Sequence, residues 1–468
     1  MNFDSIAFIA CFLPLIAVLN QLLQPTRAQN ILLLLSGLLF YAFCGPGAVL
    51  ILLCASFVNY LFGLFLLRNE AGRGKRWVAA AVTLNLLFLI AYKYAEFFLA
   101  ALTAGAWKGQ GLIAPVGISF FTFKGISYVI DTYRDRNNGT KNFARVLLYI
   151  SFFPQIMAGP ITRFSEFSGQ LTERNCRVEK MTEGLRRFLI GLGKKLLLSG
   201  AAGKVTDALF SLDRGALSTP LAWVGAVAYS LQIYLDFSGY SDMAIGLGIM
   251  FGFSTPENFN YPYVAASVTD FWRRWHISLS SWFRDYLYFP LGGSRKGVGR
   301  AALNKVIVFT LCGLWHGASW TFVVWGLWHG MFSALESFGR VKKILRKPAV
   351  RVLAHIYTLL VVCLGFVMFR AGSVAEGIRM LGAMFGVNST RVSLLSPLEI
   401  SKTLSRWNIA LLLLGSMACT PLLKQGYARF KDSLTAQALS YVGCVVLLVF
   451  CAAELAAGGF APFIYFQF

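Results

Sequence analysis

His316 is the residue whose type and setting best suit it to chemistry. It lies in Leu311-Cys-Gly-Leu-Trp-His-Gly-Ala-Ser-Trp320, within an apolar run from Val306 to Leu335. A histidine embedded among apolar residues has few purely structural uses, and a neutral imidazole can act as a base at physiological pH. Gly313 and Gly317 flank it and leave space for a substrate chain or for another backbone. The chemistry this permits is group transfer, with the imidazole as general base or transient nucleophile. His329 ends the same run in Trp325-Gly-Leu-Trp-His-Gly330. On one continuous helix it would lie about 220° round and about 20 Å along from His316, which reads as a structural position. His355 adjoins a basic segment and reads as interfacial.

Two further segments break the apolar pattern. In Asp270-Phe-Trp-Arg-Arg-Trp-His-Ile-Ser-Leu-Ser-Ser-Trp-Phe-Arg-Asp-Tyr-Leu-Tyr-Phe289, tryptophans and arginines interleave around His276. That mixture suits a helix lying at a membrane–water interface. It equally suits Arg273, Arg274 and His276 facing a polar substrate or phosphate groups. In Tyr234-Leu-Asp-Phe-Ser-Gly-Tyr-Ser-Asp-Met-Ala-Ile-Gly246, Asp236 and Asp242 interrupt apolar sequence, and Gly239 permits a bend. A charge at the bilayer centre costs about 2.5–3.5 kcal/mol on insertion scales, so such acids need a reason. Either a broken helix lines a polar cavity, or a structural hydrogen-bond network locks a helix break at that point.

The elements that must position these residues are membrane helices. The 468 residues are 57% hydrophobic and 14% charged, with a mean hydropathy of +0.61, against about 25% charged in an average soluble domain. Candidate spans are Ile6–Leu23, Ile31–Phe43, Ala48–Leu67, Trp77–Ala101, Leu112–Ile130, Val146–Ala158, Leu221–Leu235, Met243–Phe253, Val306–Leu335, Val352–Phe369, Trp407–Leu422 and Tyr441–Leu455. Several fall short of the ~20 residues a crossing needs. The expected fold is an all-α polytopic membrane protein with about ten to twelve embedded helices, some short, tilted or re-entrant.

The net charge of +22 sits in short segments between apolar runs, such as Arg68–Arg76, Arg134–Arg145, Arg340–Arg351 and Lys424–Lys431. This is the pattern of cytoplasmic loops facing anionic lipid, not of nucleic-acid binding. Taking Arg68–Arg76 as cytoplasmic places the N-terminus outside; Arg370–Arg406 is ambiguous. The N-terminus lacks the basic start of a cleaved signal peptide. The nine cysteines are scattered, without metal-ligand spacing, and no metal is expected. No repeat, linker or soluble domain is evident, so residues 1–468 read as one membrane domain.

Taken together, Leu235-Asp-Phe-Ser-Gly-Tyr-Ser-Asp-Met-Ala-Ile-Gly, Phe271-Trp-Arg-Arg-Trp-His-Ile-Ser-Leu-Ser, Tyr286-Leu-Tyr-Phe-Pro-Leu-Gly-Gly and Gly313-Leu-Trp-His-Gly-Ala resemble the membrane-bound O-acyltransferase family. Pro115-Val-Gly-Ile-Ser-Phe-Phe and Pro154-Gln-Ile-Met-Ala-Gly-Pro-Ile-Thr-Arg-Phe extend the likeness to its bacterial exopolysaccharide branch, which acetylates alginate and cellulose. It covers a core of 115–330, with 1–114 and 331–468 as peripheral helices. The resemblance implies a ring of helices around a central channel in the bacterial inner membrane. It implies His316 as the essential catalytic residue and His276 beside it. Arg273, Arg274, Trp275 and Trp315 would then bind donor or substrate, with Asp236, Asp242 and Tyr240 supporting from behind. The expected donor is acetyl-CoA, with no permanently bound cofactor. The expected partners are a periplasmic polysaccharide acetyltransferase or other acetylation-complex subunits, together with membrane lipids. A transporter or channel, or a non-catalytic scaffold of an export complex, is the alternative reading.

Overall fold

The computed structural model describes residues 1–468 except 24, 69–73, 104–111, 113, 213–216, 346, 388–403, 431, 459–463 and 465–468. Parts of the four basic segments Arg68–Arg76, Arg340–Arg351, Arg370–Arg406 and Lys424–Lys431 therefore lie outside the described residues. Within the described residues the regular structure is helical and no strand occurs. This matches the expected all-α membrane fold, because a chain in lipid must satisfy its backbone groups internally. Among the described residues five helices are long and apolar enough to cross a membrane: Pro46–Arg68, Gly74–Lys93, Val298–His316, Pro348–Arg370 and Leu434–Ala456. A sixth candidate is the pair Arg406–Ala418 and Leu422–Ala428, bent by 71°. The other helices are shorter or more polar. The chain divides into two compact units, Met1–Phe188 with Ser241–Pro256, and Leu189–Tyr240 with Glu257–Phe468.

The first unit holds Leu13–Leu22 (α1), Thr26–Ala42 (α2), Pro46–Arg68 (α3) and Gly74–Lys93 (α4), of which α3 and α4 pack against Ile118–Arg134 (α5). The sequence suggests a span over Leu112–Ile130, but α5 is buried on nearly all sides. Its Ser119, Thr122, Lys124, Ser127, Asp131 and Thr132 are all buried, and such a set is tolerated inside protein rather than against lipid. Lys124 Nζ donates to the Tyr149 carbonyl at 2.7 Å. Gly117 starts α5 with φ 79°, where a side chain would strike the Ile156 carbonyl.

Thr219–Met250 (α6) runs unbroken for 32 residues. This corrects the bend expected at Gly239. That glycine serves close packing instead: a Cβ there would lie 2.7 Å from the Gly191 carbonyl oxygen. The acids of α6 are held by basic partners upstream. In the second unit, Asp236 takes Lys195 Nζ at 2.6 Å on one oxygen and the Ile464 N–H at 2.8 Å on the other. In the first unit, Arg187 meets Asp242 Oδ1 through Nε at 3.1 Å and Nη2 at 2.9 Å. The structural network is therefore the one realised, without a helix break.

The rest of the second unit is built on Val268–Arg274 (α7), Ile277–Phe283 (α8), Val298–His316 (α9), Trp320–Leu335 (α10) and Arg351–Arg370 (α11). The Val306–Leu335 run is not one helix. It turns back at Gly317–Ser319, where Gly317 is extended and Ser319 Oγ caps α10 by accepting from the Thr321 N–H. Small residues let the two arms of the hairpin touch. A Cβ on Gly313 would strike the Phe322 carbonyl, one on Gly326 the Phe309 carbonyl, and one on Gly330 Val306. Gly313 thus makes room for a neighbouring backbone, the second of the two uses its position suggested.

Candidate active site

His276 is set by a break between two short helices. The sequence allows one interfacial helix through Asp270–Phe289, but α7 ends at Arg274 and α8 starts at Ile277. Ser267 Oγ caps the start of α7 by accepting from the Asp270 N–H at 3.0 Å. The buried Glu336 carboxylate accepts from the Val268 and Thr269 N–H groups, both at 2.7 Å. The extended segment at 258–260 then captures the break. Asn260 N–H donates to the Arg274 carbonyl and Ile277 N–H to the Asn258 carbonyl, each at 2.9 Å. His276 between them adopts φ 44°, ψ 55°, the left-handed region that non-glycine residues rarely occupy.

The His276 side chain is nearly inaccessible. Its Nδ1 lies 3.0 Å from Asn258 Oδ1, an oxygen that also accepts from the Ser278 N–H at 3.3 Å and the Ser278 hydroxyl at 2.9 Å. An amide oxygen only accepts, so Nδ1 carries the proton and Nε2 the lone pair. Burial lowers the imidazole pKa to about 3, which keeps the ring neutral. The Phe237 ring meets it edge-on, with centroids 4.6 Å apart.

His316 is the last residue of α9. Trp315, Trp325 and Phe369 surround its ring at centroid distances of 5.0, 5.1 and 5.2 Å. Cys312, one turn earlier on the same face, brings its Sγ to 3.9 Å from His316 Nε2. His316, Cys312 and His276 all line one cavity of about 190 Å³, walled by Trp272, Trp275, Phe283 and Phe309, with Arg273, Arg284, Tyr288 and Lys305 around it. Thr269, Arg273, Tyr288 and Lys305 also line a second cavity of about 620 Å³, which adds Asp270, Ser294, Glu336 and Lys342. The two spaces share walls. An apolar chamber at the imidazoles thus adjoins a polar vestibule carrying Arg273, Lys305 and Lys342.

Residues singled out from sequence divide between this chamber and its surroundings. His276, His316, Arg273 and Trp275 line it. Trp315 packs on both imidazoles from behind, 6.4 Å from the His276 ring. Arg274 faces away and pairs with Asp270 at 2.9 Å. Asp236 and Asp242 make the ion pairs described above, and Tyr240 is buried on α6; none of the three lines the chamber. His329 is not on a distant face, as a continuous helix would require. The turn at Gly317 folds it back, so that Trp325 contacts both His316 and His329 at 5.1 Å. His355 Nδ1–H donates to the Ala265 carbonyl at 2.9 Å.

Sequence reasoning passed over Lys305, Cys312, Glu336 and Asn258. A cation at the edge of an apolar run signals the first, and spacing of four from His316 signals the second. Asn258 lies 18 residues before His276 in polar sequence that carries no such mark.

Two imidazoles lining one chamber, with Arg273 and Lys305 beside them, are suited to moving an acyl group from an anionic carrier onto an acceptor. Residues 131–375 match the model of the MBOAT, membrane-bound O-acyltransferase family. Over 510 aligned residues covering all of both chains, the sequence is 36% identical to "Probable alginate O-acetylase AlgI" of Azotobacter vinelandii. It is 37% identical over 496 residues to the protein of the same name from Pseudomonas putida, again over the full length of both. Against "Peptidoglycan O-acetyltransferase" of Helicobacter pylori it is 34% identical over 461 residues, covering 90% of this chain and 86% of that one. The chain belongs to the membrane-bound O-acyltransferase family, and it is a multi-pass membrane acyltransferase.

Proposed function

We propose that this acyltransferase takes acetyl groups from a cytoplasmic thioester, acetyl-CoA, and passes them across the bacterial inner membrane for O-acetylation of an exported polysaccharide such as alginate or cellulose. The observation that carries this reading is the single chamber lined by His276 and His316, which shares Arg273 and Lys305 with a neighbouring vestibule. The names of the relatives, acetylases of alginate and of peptidoglycan, support acetyl as the group and a glycan as its destination.

Arg273, Lys305 and Lys342 suit the phosphates of the donor, since cation–phosphate hydrogen bonds are about twice as strong as neutral ones. Lys342 lies in the basic segment read as cytoplasmic. Val298 and His316 are 18 residues apart on α9, about 27 Å at the helical rise, so the vestibule and the imidazole sit towards opposite ends of the helix. In the reaction, His316 Nε2 takes the proton of an acceptor hydroxyl while the oxygen attacks the thioester carbonyl. The C–O bond forms, the C–S bond breaks, and the leaving thiolate receives the proton. His276, with Nε2 unprotonated, relays the proton. The acceptor is the polysaccharide itself or a periplasmic acetyltransferase subunit that hands the group on, with the N-terminus on the periplasmic side and membrane lipids around the helices.

The test is O-acetyl content of exported polymer in cells carrying His316→Ala at normal membrane abundance. The expected result is loss of acetylation; unchanged polymer acetylation would remove His316 from the reaction.

A further inference from the structure

We propose that Asn258 is a positioning residue, fixing His276 as the Nδ1–H tautomer so that the Nε2 lone pair serves the chamber shared with His316. The inference rests on the transferase reading of that chamber. Asn258 has no exposed surface. Its side-chain oxygen gathers His276 Nδ1, the Ser278 N–H and the Ser278 hydroxyl, and its backbone carbonyl holds the Ile277 N–H.

The backbone at His276 occupies a region that is strained for a non-glycine residue and persists only where surroundings over-determine it. The bonds to Asn258 and Asn260 on both sides of the histidine provide that determination. They would suffice to hold the chain. The further placement of an obligate acceptor on Nδ1 selects one of two neutral tautomers, because the bond at one ring nitrogen dictates the state of the other. Phe237 closes the side of the ring towards α6 at 4.6 Å. The charged and titratable groups facing His276 across the chamber are Arg273, Arg284 and Tyr288 on the α7–α8 segment, and Lys305, Cys312 and His316 on α9. None of these chamber-lining groups is a carboxylate.

Two variants separate positioning from simple support. Asn258→Leu keeps the volume and removes the acceptor. Asn258→Asp keeps an acceptor at the same place and adds a negative charge, which stabilises the His276 imidazolium and raises its pKa. Both are purified in detergent alongside the parent protein and His316→Ala, at matched abundance and with melting temperature recorded. Acetyl transfer from acetyl-CoA is measured as kcat and KM across pH. Asn258→Leu is expected to lose at least tenfold in kcat with KM for the donor unchanged. Asn258→Asp is expected to recover most of the parent rate at high pH, with the acidic limb of its profile moved up by a pH unit or more. Parental kcat in Asn258→Leu overturns the proposal, as does an Asp variant that falls as far as the Leu variant at every pH while melting like the parent. If His316→Ala keeps full activity, it is the transferase reading of the chamber that fails; if His316→Ala is inactive and Asn258→Leu is not, only the role of Asn258 fails.

Discussion

Cys312 Sγ lies 3.9 Å from His316 Nε2, and both atoms face the same chamber. The pairing follows from their spacing of four on α9, which stacks side chains on one helix face. The thiol is buried and is replaceable by a small apolar group. Cys312→Ala should keep acetyl transfer within about threefold, since free buried cysteines act as small hydrophobes. Cys312→Phe should abolish it by filling a chamber of only about 190 Å³. Rates on membranes of matched protein content check both outcomes.

Lys195 and Asp236 form a buried ion pair, with side chains 3% and 7% exposed. Removing one partner of such a pair strands a charge and costs about 3–5 kcal/mol, whereas replacing both by apolar groups is often neutral. Asp236→Ala should lower the melting temperature of the detergent-solubilised protein sharply. Lys195→Met combined with Asp236→Leu should recover much of the loss. Equal melting of the single and double variants would show that the pair does not stabilise the helix contact.

The hairpin of α9 and α10 should be intolerant of side chains at its glycines. A Cβ on Gly326 meets the Phe309 carbonyl and the Thr310 backbone, and backbone cannot swing aside as a side chain can. Gly326→Ala is expected to destabilise by about 1–3 kcal/mol, the range for overpacked cores. Gly299→Ala, with open space around it, should melt like the parent or slightly above.

The vestibule cations should act on donor affinity. Lys305 Nζ donates to the Ser333 carbonyl at 2.9 Å and lines both cavities. Lys305→Met should raise KM for acetyl-CoA about tenfold with kcat little changed, the signature of lost uniform binding. Raising the salt concentration should weaken donor binding in the parent more than in the variant, because part of the attraction is screened. A KM unaffected by the substitution would place the donor phosphates elsewhere.

How much of this was legible in the sequence differs residue by residue. The helical membrane fold follows from composition alone, and His276 and His316 stand out because ionisable groups in apolar runs are costly. The reversal at Gly317 was hidden: glycine is common inside membrane helices, and the run from Val306 to Leu335 keeps its hydropathy through the turn. The same ambiguity worked in the opposite sense at Gly239, where a glycine and two acids suggested a bend that α6 does not make. The partners of those acids, Lys195 and Arg187, sit 41 and 55 residues away, beyond any local pattern. Asn258 is recognisable only once the chain has brought it against His276.

Asp236 holds more than a lysine. Its second oxygen takes the backbone N–H of Ile464, 228 residues further along. Replacing Ile464 by proline would withdraw that donor from a buried carboxylate, so one backbone amide far down the chain completes the seating of an acid on α6.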